Sequence, residues 1–476
     1  MGPPNLAPVR RVELLMALAI FCIGGTVLHP WSAQPASRYL LTVAVVDHHT
    51  VSLDQDRHLL GVDQAEFEGH SYSDKAPYQP LLAAPFYQAF RAVGGDAFPA
   101  DDQVLGTDGP FHWGRWWVTV WSATVPAILL SIVVRRLVLT VRPSVATPVA
   151  LALSLGTMLL PFAGELFGHV LAALFLTSAW LLIRRPAVDT KVMLGAGLLL
   201  SAAVGTEYPV VIPAVVMVIA AITAHGWRSN VALTLGGLAG AVPMLAYHWL
   251  VFESPFTTAY QGHMPNFPTS GALKIYNLAV PQGDELVKAL VGDRGLFTLA
   301  PVCALACGFA VLAITGSTRT RRDGVIALVA LGSLWVVSAG IDAYGGWSPG
   351  PRYLIPVLPL LAVPLAEAWA RLPRLCTLAA LVGTVSMLLA TITDPEVPTG
   401  VDKPIRLWFD MLLDGRVARS VPGEMLGDAG LFVVIAVGVG AAVAALHSDS
   451  PIEPEPAGER QPVSAGGPEA GHATLG

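Results

Sequence analysis

Charge is scarce in this chain. Asp, Glu, Lys and Arg make up 13% of its 476 residues, about half the roughly 25% of an ordinary soluble domain. That deficit, with 54% apolar residues, excludes a protein wrapped in water and points to one solvated by lipid. A basic surplus is missing as well. The net charge is −6, so nothing suggests a nucleic-acid partner. Cysteine is sparse: Cys22, Cys303, Cys307 and Cys376 all sit inside apolar runs, and no disulfide framework is implied. Cys303 and Cys307 share a helix face, but no His or carboxylate stands beside them, so they read as small buried apolar residues. No internal repeat is visible, which counts against a transporter built from duplicated halves.

Long hydrophobic runs are what the chain has in abundance. They lie near residues 12–29, 116–134, 146–161, 165–183, 191–205, 209–225, 231–251, 297–314, 325–341, 353–370, 375–392 and 429–446. The expectation is an all-α polytopic membrane protein of about twelve transmembrane helices, several of them near the lower limit of the roughly 20 residues that cross a bilayer. The first run follows Arg10-Arg11 and lacks a small-x-small cleavage site, so it reads as a retained helix and not a signal peptide. Alternate connections carry Arg135-Arg136, Arg184-Arg185 with Lys191, Arg228, Arg319 with Arg321-Arg322, and Arg371 with Arg374. With both termini in the cytoplasm, every one of these clusters falls on the inner side, as the positive-inside rule asks. The reading is a multi-pass protein of the plasma (inner) membrane.

This orientation puts the long connections outside: about 30–115, 252–296, 342–352 and 393–428. The first is far longer than a connector needs to be, and such loops are usually functional. Within it, 37–46 and 80–93 are apolar enough to form helices lying on the membrane surface, with a polar irregular stretch between them. Residues 1–446 read as the transmembrane domain. The Pro-, Glu- and Gly-rich remainder, 447–476, reads as a disordered cytoplasmic tail.

Three outer patches carry chemistry. In Tyr72-Ser73-Asp74-Lys75-Ala76-Pro77 a lysine, suited to a phosphate oxygen, stands beside an aspartate that could act as base, metal ligand or counter-ion. A loop turn with a local ion pair is the plainer alternative. In Gly345-Gly346-Trp347-Ser348-Pro349-Gly350-Pro351-Arg352-Tyr353, glycine and proline allow close backbone approach, and Arg352 at a helix mouth suits two-pronged phosphate contact. Snorkelling to headgroups is the alternative. Arg294 in Gly292-Asp293-Arg294-Gly295 is a second phosphate candidate or a headgroup anchor. Glu207-Tyr208, and Glu165 with His169 four residues apart, mark helix ends at the outer face. His48, His49, His58 and His70 lack the spacing of a zinc motif. No metal ligands are indicated, cofactors are unknown, and a role for a divalent cation stays open.

These islands resemble the GT-C glycosyltransferases, and more narrowly are similar to the branch of protein O-mannosyltransferases and aminoarabinose transferases. Arg294-Gly295-Leu296-Phe297 and Glu207-Tyr208-Pro209 match the same relatives. The resemblance implies a glycosyltransferase that moves a sugar from a polyprenyl-phosphate donor to a cell-envelope glycan or lipid acceptor outside the membrane, with membrane lipids as further partners. Carried over, Lys75, Arg352 and Arg294 bind donor phosphate, and Tyr72, Tyr353, Glu207 and Trp347 line the substrate. The family's acidic pair ahead of an Arg-Tyr is missing: the chain reads Gln34-Pro35-Ala36-Ser37-Arg38-Tyr39. The general base is then sought among Asp54, Asp74 and Asp47. The alternatives are a transporter or flippase of a lipid-linked or sugar substrate, and a relative that binds lipid phosphate without catalysis.

Overall fold

A computed structural model describes residues 7–98, 109–186, 188–266, 278–316 and 319–448. The expected tail from 449 onward lies outside the described residues. Helices dominate. Six are long and apolar enough to cross a bilayer: Trp113–Leu139, Trp227–Phe252, Arg321–Ile341, Arg352–Arg371, Pro373–Ile392 and Ala429–Ser448. A seventh is counted if Gly283–Leu299 and Pro301–Thr315, bent by 106° against each other, form one span. Four other apolar helices are shorter: Pro143–Leu155, His169–Ile183, Thr190–Thr206 and Tyr208–Ala224. The number of crossings that length alone supports is therefore six or seven, below the about twelve read from hydropathy.

Local sequence explains the breaks. The stretch Arg352–Leu361 is a 3-10 helix containing Pro356 and Pro359. Neither proline has an N–H to give to an α-helical ladder, and each ring crowds the preceding turn. The α-helix Ala362–Arg371 begins only after them. Thr190–Thr206 stops at Glu207, whose backbone is extended (φ −147°), immediately before the 3-10 turn Tyr208–Val210 with Pro209 inside. That stop turns a carboxylate out of the apolar layer.

The apolar stretches 37–46 and 80–93 are helical, within Ala33–Asp47 and Tyr78–Ala92, and the first of these helices is largely buried. The polar stretch between them is more ordered than its composition suggests. It holds a 3-10 helix, Asp54–Leu59, and an antiparallel hairpin of Gln64–Phe67 with His70–Ser73. Glu68 and Gly69 connect the strands with φ of 52° and 86°, the two positive values that a two-residue hairpin turn needs. A second two-stranded sheet pairs Val27–Leu28 with Arg419–Ser420.

The long loops assigned to one side meet one another. Glu66 N–H donates to His263 C=O at 2.7 Å between two of these loops, while Ala279 N–H reaches Gly340 C=O (2.8 Å) and Val421 N–H reaches Thr26 C=O (2.9 Å) at adjoining helix ends. Arg294 joins 343–350 to 396–401 by donating to the carbonyls of Ser348, Val397 (3.1 Å) and Pro398 (3.2 Å). Loops read as lying on one side of the membrane are thus hydrogen-bonded together over one end of the helices.

Beneath them the helices pack through small residues. A Cβ built on Gly197 would stand 2.0 Å from the Leu233 carbonyl oxygen, and one on Gly236 would stand 2.0 Å from that of Leu194. Helices Thr190–Thr206 and Trp227–Phe252 can therefore touch backbone to backbone, which is how helices gain van der Waals contact in lipid, where no hydrophobic force drives them together. Gly236→Ala is expected to destabilise the protein by about 1–3 kcal/mol through overpacking. Gly195→Ala, on the same helix as Gly197 with nothing within 4 Å of the new methyl, should be neutral or mildly stabilising. Thermal unfolding in detergent, followed by tryptophan fluorescence, separates the two.

Candidate functional site

The hairpin builds the first half of the site. Its register sets Gln64 opposite Ser73, so the residues just beyond each strand, Asp63 and Asp74-Lys75, come face to face. Lys75 Nζ lies 2.7 Å from Asp74 Oδ2 and 3.2 Å from Asp63 Oδ1, and all three side chains are buried. Helix Ala33–Asp47 contributes Ser37, whose hydroxyl is 3.1 Å from Asp74 Oδ1 and 2.8 Å from the Ser73 hydroxyl. Burial pushes the Asp74 carboxyl up; Lys75 opposes this and Asp63 reinforces it, and the net direction is upward. Two carboxylates and one ammonium leave the trio with surplus negative charge.

The second half is an ion pair between distant segments. Arg38 donates to Glu207 Oε1 at 2.7 Å and to Gln34 Oε1 at 2.7 Å. His169 Nδ1 stands 3.4 Å from the same Glu207 oxygen. Gly168 makes room for this arrangement, since a Cβ there would lie 2.5 Å from Glu207 Oε1.

Arg352 completes the cluster. Its guanidinium carbon is 5.6 Å from the centroid of the Phe167 ring, and that of Arg38 is 5.8 Å from the same ring. The charges of Lys75, Arg38 and Arg352 all act on both Glu207 and His169. Cations from positions 38, 75 and 352 therefore share one locality. Arg352 Nη1 also donates to the Trp347 carbonyl at 3.2 Å, while Trp347 itself is exposed. The turn before Arg352 is held by Asp342, whose carboxylate accepts from the N–H groups of Tyr344 (2.7 Å), Gly345 (2.5 Å) and Gly346 (2.8 Å). Gly345 and Gly346 adopt φ of 80° and 88°, values that glycine alone reaches without strain.

A neighbouring acidic cluster shares Arg352. His29 and Glu165 approach to 3.1 Å, both buried, and His29 Nε2 lies 2.9 Å from the Thr391 carbonyl. Burial would push His29 down, but Glu165 and Asp394 outweigh it and hold the ring above its usual value. Glu396 accepts from Ser32 at 2.5 Å. Its carboxyl is pushed up to about 8, first by burial and then by Glu165 and Asp394, with Ser32 and Arg352 pulling the other way. Among the described residues no group of three or more His, Cys, Asp or Glu is arranged to hold a metal ion.

The other sequence candidates are placed differently. Arg294 is buried, engages backbone carbonyls with both Nη atoms, and lies 4.5 Å over the Tyr344 ring, which makes it a clasp between loops. Asp47 is bound by Tyr87 (2.9 Å) and Arg91 (3.0 Å) at the end of its helix. Asp54 is surface-exposed. Burial nudges its carboxyl up, but His70 at 2.6 Å and the Ser71 N–H at 2.7 Å win and lower it. Neither aspartate bonds to the Lys75 or Glu207 groups. Tyr72 is half-buried on the hairpin. Tyr353 meets the His169 ring edge-on at 6.1 Å.

Asp63, Arg38, His29 and Glu396 were not among the sequence candidates. Asp63 could have been found from Glu68-Gly69, a turn pair set between two short runs. Arg38 and Glu396 lie in stretches whose pattern carries no signal of the contacts they make.

Glu396 gives a pH test. An ordinary glutamate ionises near 4.5, so the folded chain loses stability as pH rises from there through about 8. Glu396→Gln has no proton to lose. Its thermal stability relative to the parent should be higher at pH 9 than at pH 5, and a difference flat with pH would mean that Glu396 is ionised throughout.

No family model matches the chain, and no curated protein matches it in sequence. Among solved structures, it is similar to the crystal structure of ArnT from Cupriavidus metallidurans bound to undecaprenyl phosphate, with 14% identity over 94% of this chain and 78% of that one, at a TM-score of 0.54. The apo form of the same protein gives 15% identity, 93% and 77% coverage, and a TM-score of 0.51. At such identity the likeness is one of architecture alone: this chain shares the overall arrangement of its helices with ArnT.

Proposed function

We propose that this protein is a glycosyltransferase that takes a sugar from a polyprenyl-phosphate donor and transfers it to a hydroxyl of a cell-envelope glycan or lipid on the outer side of the membrane. The observation that carries the reading is the gathering of Arg38, Lys75 and Arg352 around Glu207, His169 and Phe167, in a fold whose ArnT representative was crystallised with undecaprenyl phosphate.

The chemistry asks for two things. As the acceptor oxygen bonds to the anomeric carbon, the bond from that carbon to the phosphate oxygen breaks, and the lipid phosphate leaves with an added negative charge. Fixed cations stabilise that charge where it develops. Arg352 and Arg38 suit the task through their planar forks, which can meet two phosphate oxygens at once, whereas the Lys75 ammonium is a point charge held between two carboxylates. The acceptor hydroxyl loses its proton to a carboxylate. Of the three aspartates first considered, Asp74 is the one in contact with the cations, and its raised affinity for a proton favours a base over a mere counter-ion. Lys75 then positions Asp74. Substrate approach would exchange the Trp347 carbonyl on Arg352 for a phosphate oxygen, with the exposed Trp347 ring at the rim.

Purified protein given a radiolabelled polyprenyl-phosphate sugar should release free polyprenyl phosphate as sugar is transferred to acceptor or water. Arg352→Ala and Asp74→Asn should each lower kcat by roughly 10²–10³-fold. Full activity in both variants would refute this site. Movement of the labelled lipid across liposomes with no covalent product would instead identify a flippase.

A further inference from the structure

The helices that carry the outer site carry something else at their opposite ends. Trp113–Leu139 has Arg115 near its start and Arg136 near its end. His169–Ile183 runs from His169 to Arg184, and Arg352–Arg371 runs from Arg352 to Arg371. The far ends surround a cavity of about 850 Å³. Seven arginines line it against two carboxylates, Asp323 and Glu367, an excess of five positive charges.

Loop arginines are expected on an inner membrane face. That rule concerns which side they occupy and does not require segments from four parts of the chain to turn them into one concavity, where like charges repel. The carboxylates that line the cavity are already engaged. Asp323 accepts from Arg184 (2.9 and 3.0 Å) and from the Trp180 indole (2.9 Å), and Glu367 takes both prongs of Arg142 (3.0 and 3.1 Å). Arg136 is paired with Glu13. Arg185, Arg319 and Arg371 make no ion pair among the described residues and are exposed. Two guanidinium groups are pre-oriented by rings: Arg371 lies 5.5 Å over Phe309 and Arg322 lies 5.1 Å over Trp180. Stacking fixes the plane of a guanidinium while leaving its N–H edge for an oxyanion. The same wall includes Leu181, Leu312 and Ala313, so apolar surface adjoins the cationic rim.

We propose that this cavity is a binding site for a phosphate group on the face opposite the outer site, held by Arg185, Arg319 and Arg371. Planar forks matched to phosphate oxygens supply the recognition, and the concave, low-dielectric wall concentrates the field. The apolar wall favours the phosphate of an amphiphile, although a soluble phosphate offers the same oxygens. The proposal does not rest on the transferase reading, and its test does not use transferase activity.

The full-length protein in detergent is titrated with short-chain phosphatidylglycerol, with phosphatidylcholine and with inorganic pyrophosphate, and followed by thermal shift and native mass spectrometry. The expected result is a saturable one-to-one complex with phosphatidylglycerol that phosphatidylcholine does not mimic. The triple variant Arg185→Gln, Arg319→Gln, Arg371→Gln should bind it at least about tenfold more weakly, the loss expected for even one charged hydrogen bond. Arg228→Gln with Arg374→Gln, which removes two arginines outside the cavity, should leave binding unchanged. Pyrophosphate binding that the triple variant loses would assign the site to soluble phosphates, and phosphatidylglycerol binding alone would assign it to lipid. Equal weakening in both sets of variants, or none in the triple variant, overturns the proposal. Unchanged tryptophan fluorescence and melting of the ligand-free triple variant shows that it is folded.

Discussion

A charge removed from water must be met by another, and this requirement organises the end of the molecule where Arg38 and Glu207 meet. Arg38 and Glu207 are 169 residues apart and touch at 2.7 Å with both side chains buried. At an effective dielectric of about 20, charges so close attract by about 6 kcal/mol. Desolvating each ion takes back several kcal/mol, so the pair contributes little net stability. What it supplies is position. Leaving either charge alone would be strongly unfavourable, so the surface helix bearing Arg38 and the helix end bearing Glu207 must meet in one register. His169, Phe167 and Arg352 are then arranged around a point that cannot drift.

The same constraint decides which cation remains available to a ligand. Lys75 looks like the natural phosphate partner in the sequence, with an aspartate beside it and a proline two residues on. Folding gives it a second aspartate through the hairpin, and the local balance turns negative. Arg352 donates to the Trp347 carbonyl and also acts electrostatically on Glu207, His169 and Glu396. The lysine and its two aspartates carry surplus negative charge, and hairpin and helix end bring Asp63 and Glu207 into the cluster from elsewhere in the chain.

Much of the architecture was legible because membrane solvation writes itself into composition. The apolar runs fall largely on helices, and the helices Ala33–Asp47 and Tyr78–Ala92 stand where their apolar stretches predicted. Length was less legible, since hydropathy does not register where Pro356 and Pro359 convert an apolar run into a 3-10 helix or where the chain bends at Ala300. Residues that meet in the cluster were legible where composition was odd for its place, as with Asp74-Lys75, Glu207 and Arg352. They were opaque where meaning depends on a partner. Nothing around Arg294 distinguishes a phosphate ligand from a guanidinium engaged by carbonyls of Ser348, Val397 and Pro398; only the fold brings those oxygens to it.

The two arginine-rich ends also differ in a way that follows from their surroundings. At the outer end Arg38, Arg294 and Arg352 are buried, and each is fixed by carboxylate, carbonyl or ring. At the opposite end Arg185, Arg319 and Arg371 are exposed around a hollow. Buried guanidinium groups lose water and lean on protein contacts instead, so they become part of the fold, even though the Nε of Arg38 and of Arg294 has no partner among the described residues. Exposed ones retain water on their donors and can exchange it for an oxyanion with little reorganisation. The geometry of the Glu207 cluster is accordingly set by folding, and a ligand there would have to displace existing contacts. The cavity at the opposite end, as proposed, would take an anion while breaking none. Because three helices run from one to the other, with Arg115 and Arg136, His169 and Arg184, and Arg352 and Arg371 at their respective ends, the positions of the two sites are mechanically tied through the same rigid elements.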